Sequence, residues 1–176
     1  MRYYKKNYMS SVNNLANEAG IEKLKGLAKH ADICMFVTDL TSVPLTARPM
    51  STADVDDEGN LWFFSKLGSD KNIDITRDNR VQLFYSNKAN SEFLSVFGYA
   101  ELWHNSKKIE ELWTPMVKAW FTEGKDDPSI TIIKVTPADA YYWDSKDNRV
   151  VSLIKMAVGA VTGKTVDEGV EGKIEL

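Results

Sequence analysis

The sequence predicts a mainly β domain, a small antiparallel barrel of six strands with flanking helices. Three observations predict it. Short runs rich in β-branched and aromatic residues follow one another, each closed by a polar, glycine or proline cluster. One short helical pattern is inserted among them, so the regular strand–helix alternation of a doubly wound sheet is missing. The longest run, residues 92–103 (EFLSVFGYAELW), carries apolar side chains on both faces, as a strand curled into a barrel does.

The elements follow in chain order. Residues 12–30 place Leu15, Ala19, Leu24, Leu27 and Ala28 near helical spacing. Ser10 or Ser11 is the candidate N-cap, and Gly20 and Gly26 argue against one unbroken helix. Residues 33–40 (ICMFVTDL) are the first strand, and Thr41-Ser42 a tight turn. Residues 43–53 (VPLTARPMSTA) return as a second strand, with Pro44 and Pro49 implying an edge, a bulge or an interrupted ladder. An acidic turn, 54–60 (DVDDEGN), precedes the third strand, 61–66 (LWFFSK). Ser69 then caps a helix from Asp70 to about Asp78. Residues 80–87 and 92–103 are strands four and five. Helical pattern returns over 106–121, broken at Thr114-Pro115. Residues 129–135 form the sixth strand, which 138–143 extend past Pro137. Residues 150–158 are apolar and read as a further helix or strand. The expected organisation is a lead-in over 1–11, a single barrel domain over 12–158 and a glycine-spaced, acidic, flexible tail over 159–176.

Composition excludes several functions. The chain has 176 residues, 43% of them hydrophobic, enough to bury roughly 70% of its unfolded surface without covalent staples. With 22 basic and 25 acidic residues it lacks the positive field that nucleic acid needs, so no nucleic-acid partner is expected. Its single cysteine, Cys34, excludes a disulfide framework, a CxxC pair and a cysteine zinc site. No apolar stretch approaches the roughly 20 residues of a membrane helix, and MRYYKKNYMSS has no signal-peptide core. A cytoplasmic protein with no membrane partner is expected by elimination.

Metal and nucleophilic chemistry find little support. His30 and His104 are far apart and lack ligand spacing. No GxSxG or cysteine–histidine arrangement is present, and Asp54 to Asp57 read as a solvated turn rather than a calcium loop. The informative stretch is 61–71, LWFFSKLGSDK. There a strand ends in the hydroxyl of Ser65, turns at glycine, and starts a helix at Ser69 with Lys71 in its first turn. A helix N-terminus with hydroxyls and an ammonium is suited to a phosphate. Arg48 adds a second cation, in an apolar strand where it needs an anion, and Pro49 frees main-chain groups beside it.

Taken together, TARPMS, LWFFSKLGSDK, NRVQLFY and SVFGYAELW resemble the FMN-binding split-barrel superfamily, related to pyridoxamine 5'-phosphate oxidase. LWTPMVKAWFTEGKDDP and AYYWD are closer to its general stress protein 26 subgroup. The match runs roughly from Leu24 to Trp143. The resemblance implies a split β-barrel, a homodimer and one FMN in each cleft between subunits, with FAD as the alternative flavin. It implies that Arg48 and Lys71 meet the phosphate, with Ser69 in the same turn. It places Pro49, Met50 and Ser51 along the isoalloxazine, partly through main chain. It makes Phe64 and Ser65 the aromatic–hydroxyl pair, and brings Trp143 to the flavin, in the oxidase from the other subunit. Trp113 and Trp120, seven residues apart, read as one helix face that packs on the barrel or walls the flavin cavity.

Three departures bear on activity. Asp70 stands where the oxidase has an arginine, Phe93 where it has a flavin-contacting glutamine, and Arg149-Val150-Val151-Ser152-Leu153 lacks the oxidase's histidine and second arginine. The resemblance therefore points away from pyridoxamine phosphate oxidation. It leaves a stress-related flavin-dependent oxidoreductase acting on a small substrate. Three alternatives stay open: a non-enzymatic stress protein that buffers flavin, the same barrel holding the deazaflavin F420 or haem, and a partner-binding barrel whose flavin site has decayed.

Overall fold

The computed structural model describes residues 10–121, 123–145 and 169–176. All six predicted strands are present. β3 (Ile33–Thr38), β4 (Thr46–Ser51), β6 (Leu61–Lys66), β7 (Arg80–Asn87), β8 (Glu92–Trp103) and β9 (Ile130–Ser145) build the barrel wall. Four short strands join them: β1 (Ser10–Val12), β2 (Leu15–Ala16), β5 (Asp54–Val55) and β10 (Gly169–Glu175). The helices are α1 (Asn17–Ala31), α2 (Asp70–Arg77) and α3 (Ser106–Leu112), and a 3-10 turn covers Val117–Ala119.

The main sheet runs β1-β10-β9-β8-β7-β3-β4, and β6 lies on the free edge of β9. The long β9 organises the wall. One edge pairs with β8 throughout, while the other carries β6 opposite residues 130–135 and β10 opposite 140–145. Pro137 is accommodated beside Gly98, where the β8–β9 register shifts, so the strand passes its proline as the sequence predicts.

Alternation along these strands fills the interior. Phe36, Leu61, Phe63, Leu83, Leu94, Val96, Ile133, Val135 and Tyr142 are buried together with Leu24, Leu27 and Ala28 of α1. Phe36 on β3 meets Phe63 on β6 edge to face, with centroids 5.2 Å apart. This contact closes the interior where the wall itself is open. A second apolar cluster lies outside β6, where Trp62, Ile130 and Ile132 pack against Ile109, Leu112 and Phe121.

Several expectations are corrected. The helix does not begin at residue 12; β1 and β2 precede it, and its N-cap is Ala16, without a side-chain cap. It is also unbroken. A side chain at Gly20 would press on Ile174 Cγ2 at 2.9 Å, so this glycine serves close packing rather than a break. Residues 169–175 of the expected tail form a strand between β9 and β1, with Ile174 buried. Gly172 crosses so close to the main chain of Asn13 that a Cβ there would overlap it. Residues 1–9 of the expected lead-in, 159–168 of the tail and the apolar run 150–158 lie outside the described residues.

Cys34 faces the core, and its thiol shares a hydrogen bond with the buried Tyr85 hydroxyl, which also lies 2.8 Å from Thr52 Oγ1. Burial pushes the thiol up to about 12, against 9.0 when exposed. The native protein is expected to resist thiol labelling at pH 8. Between pH 9 and 12 the unfolded thiol ionises while the folded one stays neutral. The unfolded state then binds fewer protons, and stability falls by about 1.4 kcal/mol per pH unit. Urea titrations of Cys34→Ala and the parent across this range check it: the variant should lose that part of the slope.

Candidate functional site

The wall is open between β4 and β6. β4 pairs only with β3, and β6 only with β9 and the short β5, so no ladder joins the two facing edges among the described residues. At the base of this seam Ala53 N–H donates to the Trp62 carbonyl at 2.8 Å. Main-chain groups alternate sides along a strand. Phe64, two residues beyond Trp62, therefore turns its N–H and C=O to the same open side. Pro49 on the opposite edge has no N–H to donate.

At the upper end of β6 the chain turns through Gly68 into α2. Ser65 is buried and donates to Asn72 Oδ1 at 2.6 Å, while Asn72 Nδ2 donates to Thr131 Oγ1 at 2.9 Å. This buried relay pins the first turn of α2 to β6 and β9. Ser69 occupies the N-cap position, yet its hydroxyl makes no cap; it lies 3.3 Å from that of Ser65. The N–H groups of Asp70 and Lys71, in the first turn, have no intrahelical acceptor, and the positive end of the helix points outward with them.

Arg48 reaches the same place from β4. Its Nη1 donates to the buried Thr38 hydroxyl at 2.7 Å, and that hydroxyl donates to Asp74 Oδ2 at 2.6 Å. Arg48 Nη2 stands 3.7 Å from the same carboxylate oxygen. Burial pushes the guanidinium down, opposed by Asp74 and Asp70. Burial also pushes the Lys71 ammonium below the usual lysine range; Arg48 pushes it further and Asp70 opposes. Lys71 has no ion-pair partner among the described residues. Two half-buried cations are thus held together at a helix start, at an open seam. Such a placement costs free energy unless an anion joins it.

The other sequence-predicted residues divide. Along β4, Pro49 and Ser51 are exposed, whereas the Met50 side chain is buried in the core and its main chain pairs with Cys34 of β3. The Phe64 ring faces outward, where Trp113 (6.1 Å) and Phe121 (6.2 Å) cover it. Trp143 lies near the far end of β9 from Thr131, the residue opposite Ser65. It pairs with Phe93 and stacks at 4.8 Å on Tyr141, so one chain does not bring it to Arg48 and Lys71. Trp113 and Trp120 do not share a helix face, because α3 ends at Leu112; Trp113 packs on Phe64 and Trp120 is 83% exposed. Arg149 lies outside the described residues.

Sequence reasoning missed Thr38, Asp74, Asn72 and Thr131. Their partners lie 7 to 59 residues away, and no local pattern marks them. His30 Nδ1 meets Glu92 at 3.1 Å and His104 Nδ1 meets the Ile130 carbonyl at 3.0 Å. No cluster of three metal-ligating residues occurs among the described residues, and no helix among them is long and apolar enough to cross a membrane.

Comparison with known proteins agrees with this fold. The family model described as pyridoxamine 5'-phosphate oxidase like matches residues 19–167. Protein bli-3 of Neurospora crassa is 28% identical over 139 residues, which are 74% of this chain and 66% of that protein's length. Among solved structures, a general stress protein 26 candidate from Jannaschia sp. CCS1 superposes with a TM-score of 0.73 at 20% identity. That superposition covers 91% of this chain and all of the other. The general stress FMN/FAD binding protein of Xanthomonas citri superposes with a TM-score of 0.62 at 24% identity, over 73% of this chain and 90% of that one.

Proposed function

The chain belongs to the pyridoxamine 5'-phosphate oxidase like family, and from that premise we propose that it binds a flavin nucleotide, FMN, at the seam between β4 and β6. The observation that carries this reading is the meeting of Arg48 and Lys71, half-buried, at the first turn of α2. The donor set fits a phosphate: a guanidinium, an ammonium and free N–H groups at a helix start. The seam fits a planar ring, since its edges offer unpaired main-chain groups of Phe64, the Pro49 carbonyl and the main chain of Ser51.

A bound flavin supplies the electron-transfer chemistry itself. The chain's residues bind and orient it. Arg48 and Lys71 neutralise the phosphate, Thr38 and Asp74 hold the guanidinium in place, and the Ser65–Asn72–Thr131 relay keeps the helix start rigid. The covered outer side of Phe64 excludes water from one side of that strand. The activity proposed is oxidation or reduction of a small substrate during stress, in keeping with the names of the similar structures. Pyridoxamine phosphate oxidation is set aside because Asp70 and Phe93 replace groups that the oxidase uses.

The proposed assembly is a homodimer. Ile33, Met35, Phe84, Phe93 and Trp143 are each 42–50% exposed. Met35 pairs with Phe84 and Phe93 with Trp143, so they form an apolar band across the outer face of the sheet. Such bands are found where another surface covers them. A second copy docked there would bring its own Trp143 toward the seam.

The test is to add FMN, remove the excess by gel filtration, and record the visible spectrum together with the sedimentation mass. Stoichiometric flavin on a dimer is expected. A folded dimer without flavin would overturn the reading. Oxidation of a nicotinamide donor by the loaded protein supports the oxidoreductase; retained flavin without turnover supports the buffering alternative.

A further inference from the structure

The inward-facing side chains of β8 are not buried along its whole length. Leu94, Val96 and Ala100 point into the barrel and are at most 2% exposed. Leu102, next in the same alternation, is 37% exposed. The barrel interior therefore opens at this end, beside α2. A cleft of about 280 Å³ lies there, bordered by Asn72 and Ile73 of α2, by Leu102, Trp103 and His104 at the end of β8, and by Thr131 of β9. The helix sets it apart from the cations of the seam: Asp74 meets Arg48, while Asn72 and Ile73 border the cleft.

The buried end of this cleft is polar. Asn72 and Thr131 are each 4% exposed. Asn72 Nδ2 carries two protons and gives one to Thr131 Oγ1 at 2.9 Å, and that hydroxyl carries a proton of its own. Neither the second amide proton nor the threonine proton has an acceptor among the described residues. Buried donors without an acceptor are rare, because each loses its hydration and gains nothing. The rest of the border is mainly apolar, and no lysine, arginine or carboxylate belongs to it among the described residues. His104 commits its Nδ1–H to the Ile130 carbonyl.

We propose that this cleft is a binding site, separate from the seam, for an uncharged ring compound that carries a carbonyl-type acceptor. Ile73, Leu102 and Trp103 cover the ring, and the acceptor takes the free protons of Asn72 and Thr131. An apolar cavity of about 150 Å³ takes benzene, so the cleft has room for one ring with a short substituent or for two fused rings. A charged ligand would lose its hydration there and find no counter-ion. The inference does not depend on what occupies the seam.

The experiment titrates two probes into the full chain and follows backbone amide shifts by NMR. Acetophenone carries the carbonyl; α-methylstyrene has nearly the same shape and no acceptor. Acetophenone should give saturable shifts centred on Ile73, Leu102 and Thr131. It should bind about two- to twelvefold more tightly than α-methylstyrene, the worth of one neutral hydrogen bond. Thr131→Val keeps the shape and removes the hydroxyl, and should bring the two affinities together. Ile73→Phe, at a partly exposed helix position, should fill the cleft and weaken both probes by about tenfold or more. Melting curves establish that each variant folds, and Ile73→Phe with the probe comparison in the parent decides the matter if Thr131→Val does not. Equal affinity for the two probes in the parent would overturn the proposal. So would the absence of saturable shifts at the cleft, or binding that survives Ile73→Phe.

Discussion

Trp62→Ala is expected to cost about 3–5 kcal/mol of folding free energy, the usual range for removing a buried large aromatic. The residue is 4% exposed and joins three parts of the molecule. Its ring meets Trp103 edge to face at 5.3 Å, and Lys108 of α3 sits 4.6 Å over it. Its Nε1–H donates to Asp56 Oδ2 at 2.8 Å. Asp56 in turn holds the 56–60 turn by accepting from the N–H groups of Glu58 and Asn60. Burial alone would raise the Asp56 carboxyl, but the hydrogen bonds from Trp62 and Asn60 outweigh it and hold the group below the usual range. The substitution therefore opens a cavity and removes a donor from a charged acceptor. Trp62→Phe keeps most of the ring and should cost less, largely the lost charge-assisted bond of about 1.5–3 kcal/mol. Urea midpoints give both numbers, and limited proteolysis should cut the 106–121 segment faster in Trp62→Ala. A loss below about 1 kcal/mol would show that this segment is anchored elsewhere.

Lys71→Met should separate binding from stability. In the ligand-free protein Lys71 is a cation pushed into burial beside another cation, so replacing it by an apolar chain of similar length should leave stability unchanged or raise it. Its lowered pKa says the same: the protonated form is disfavoured in the folded state, and stability rises as pH climbs through the folded pKa toward 10.5. FMN binding should move the other way and weaken by about 1.5–3 kcal/mol, some 10- to 150-fold. Residues whose loss helps the empty fold and harms the loaded one mark a site maintained for a ligand. Paired melting curves and FMN titrations check both halves. An unaltered FMN affinity in folded Lys71→Met would remove Lys71 from the phosphate site.

Much of the architecture was legible. The six barrel strands announce themselves because β-branched and aromatic residues alternate within runs bounded by turn formers, as in LWFFSK and RVQLFYSN. GVEGKIE did not. Of its residues only Val170 and Ile174 are apolar side chains at core spacing, and its strand state comes from lying between β9 and β1. Gly20 misled for the same reason: its value is set by Ile174, far along the chain. At the site, Arg48 and Lys71 were legible because a cation in an apolar strand and a lysine at a helix start are both conspicuous. Thr38 and Asp74 were not, since a buried threonine and a helical aspartate look ordinary until the fold joins them. Met50 reads as core filler by residue type, and alternation along β4 sends its side chain to the core while its neighbours stay out.

The pairing of β1 and β2 with β10 has a consequence for the order of assembly. Asn14 and Lys173 meet across 159 residues. A ribosome adding roughly 5–20 residues per second delivers the later partner about 8–30 s after the earlier one. β9 is made late in that interval, and its 140–145 edge then stays unpaired for about 1–7 s, until residues 169–174 follow; an unpaired edge is a template for other chains. Closure of the sheet is then the slow, non-local step, because it waits for β10.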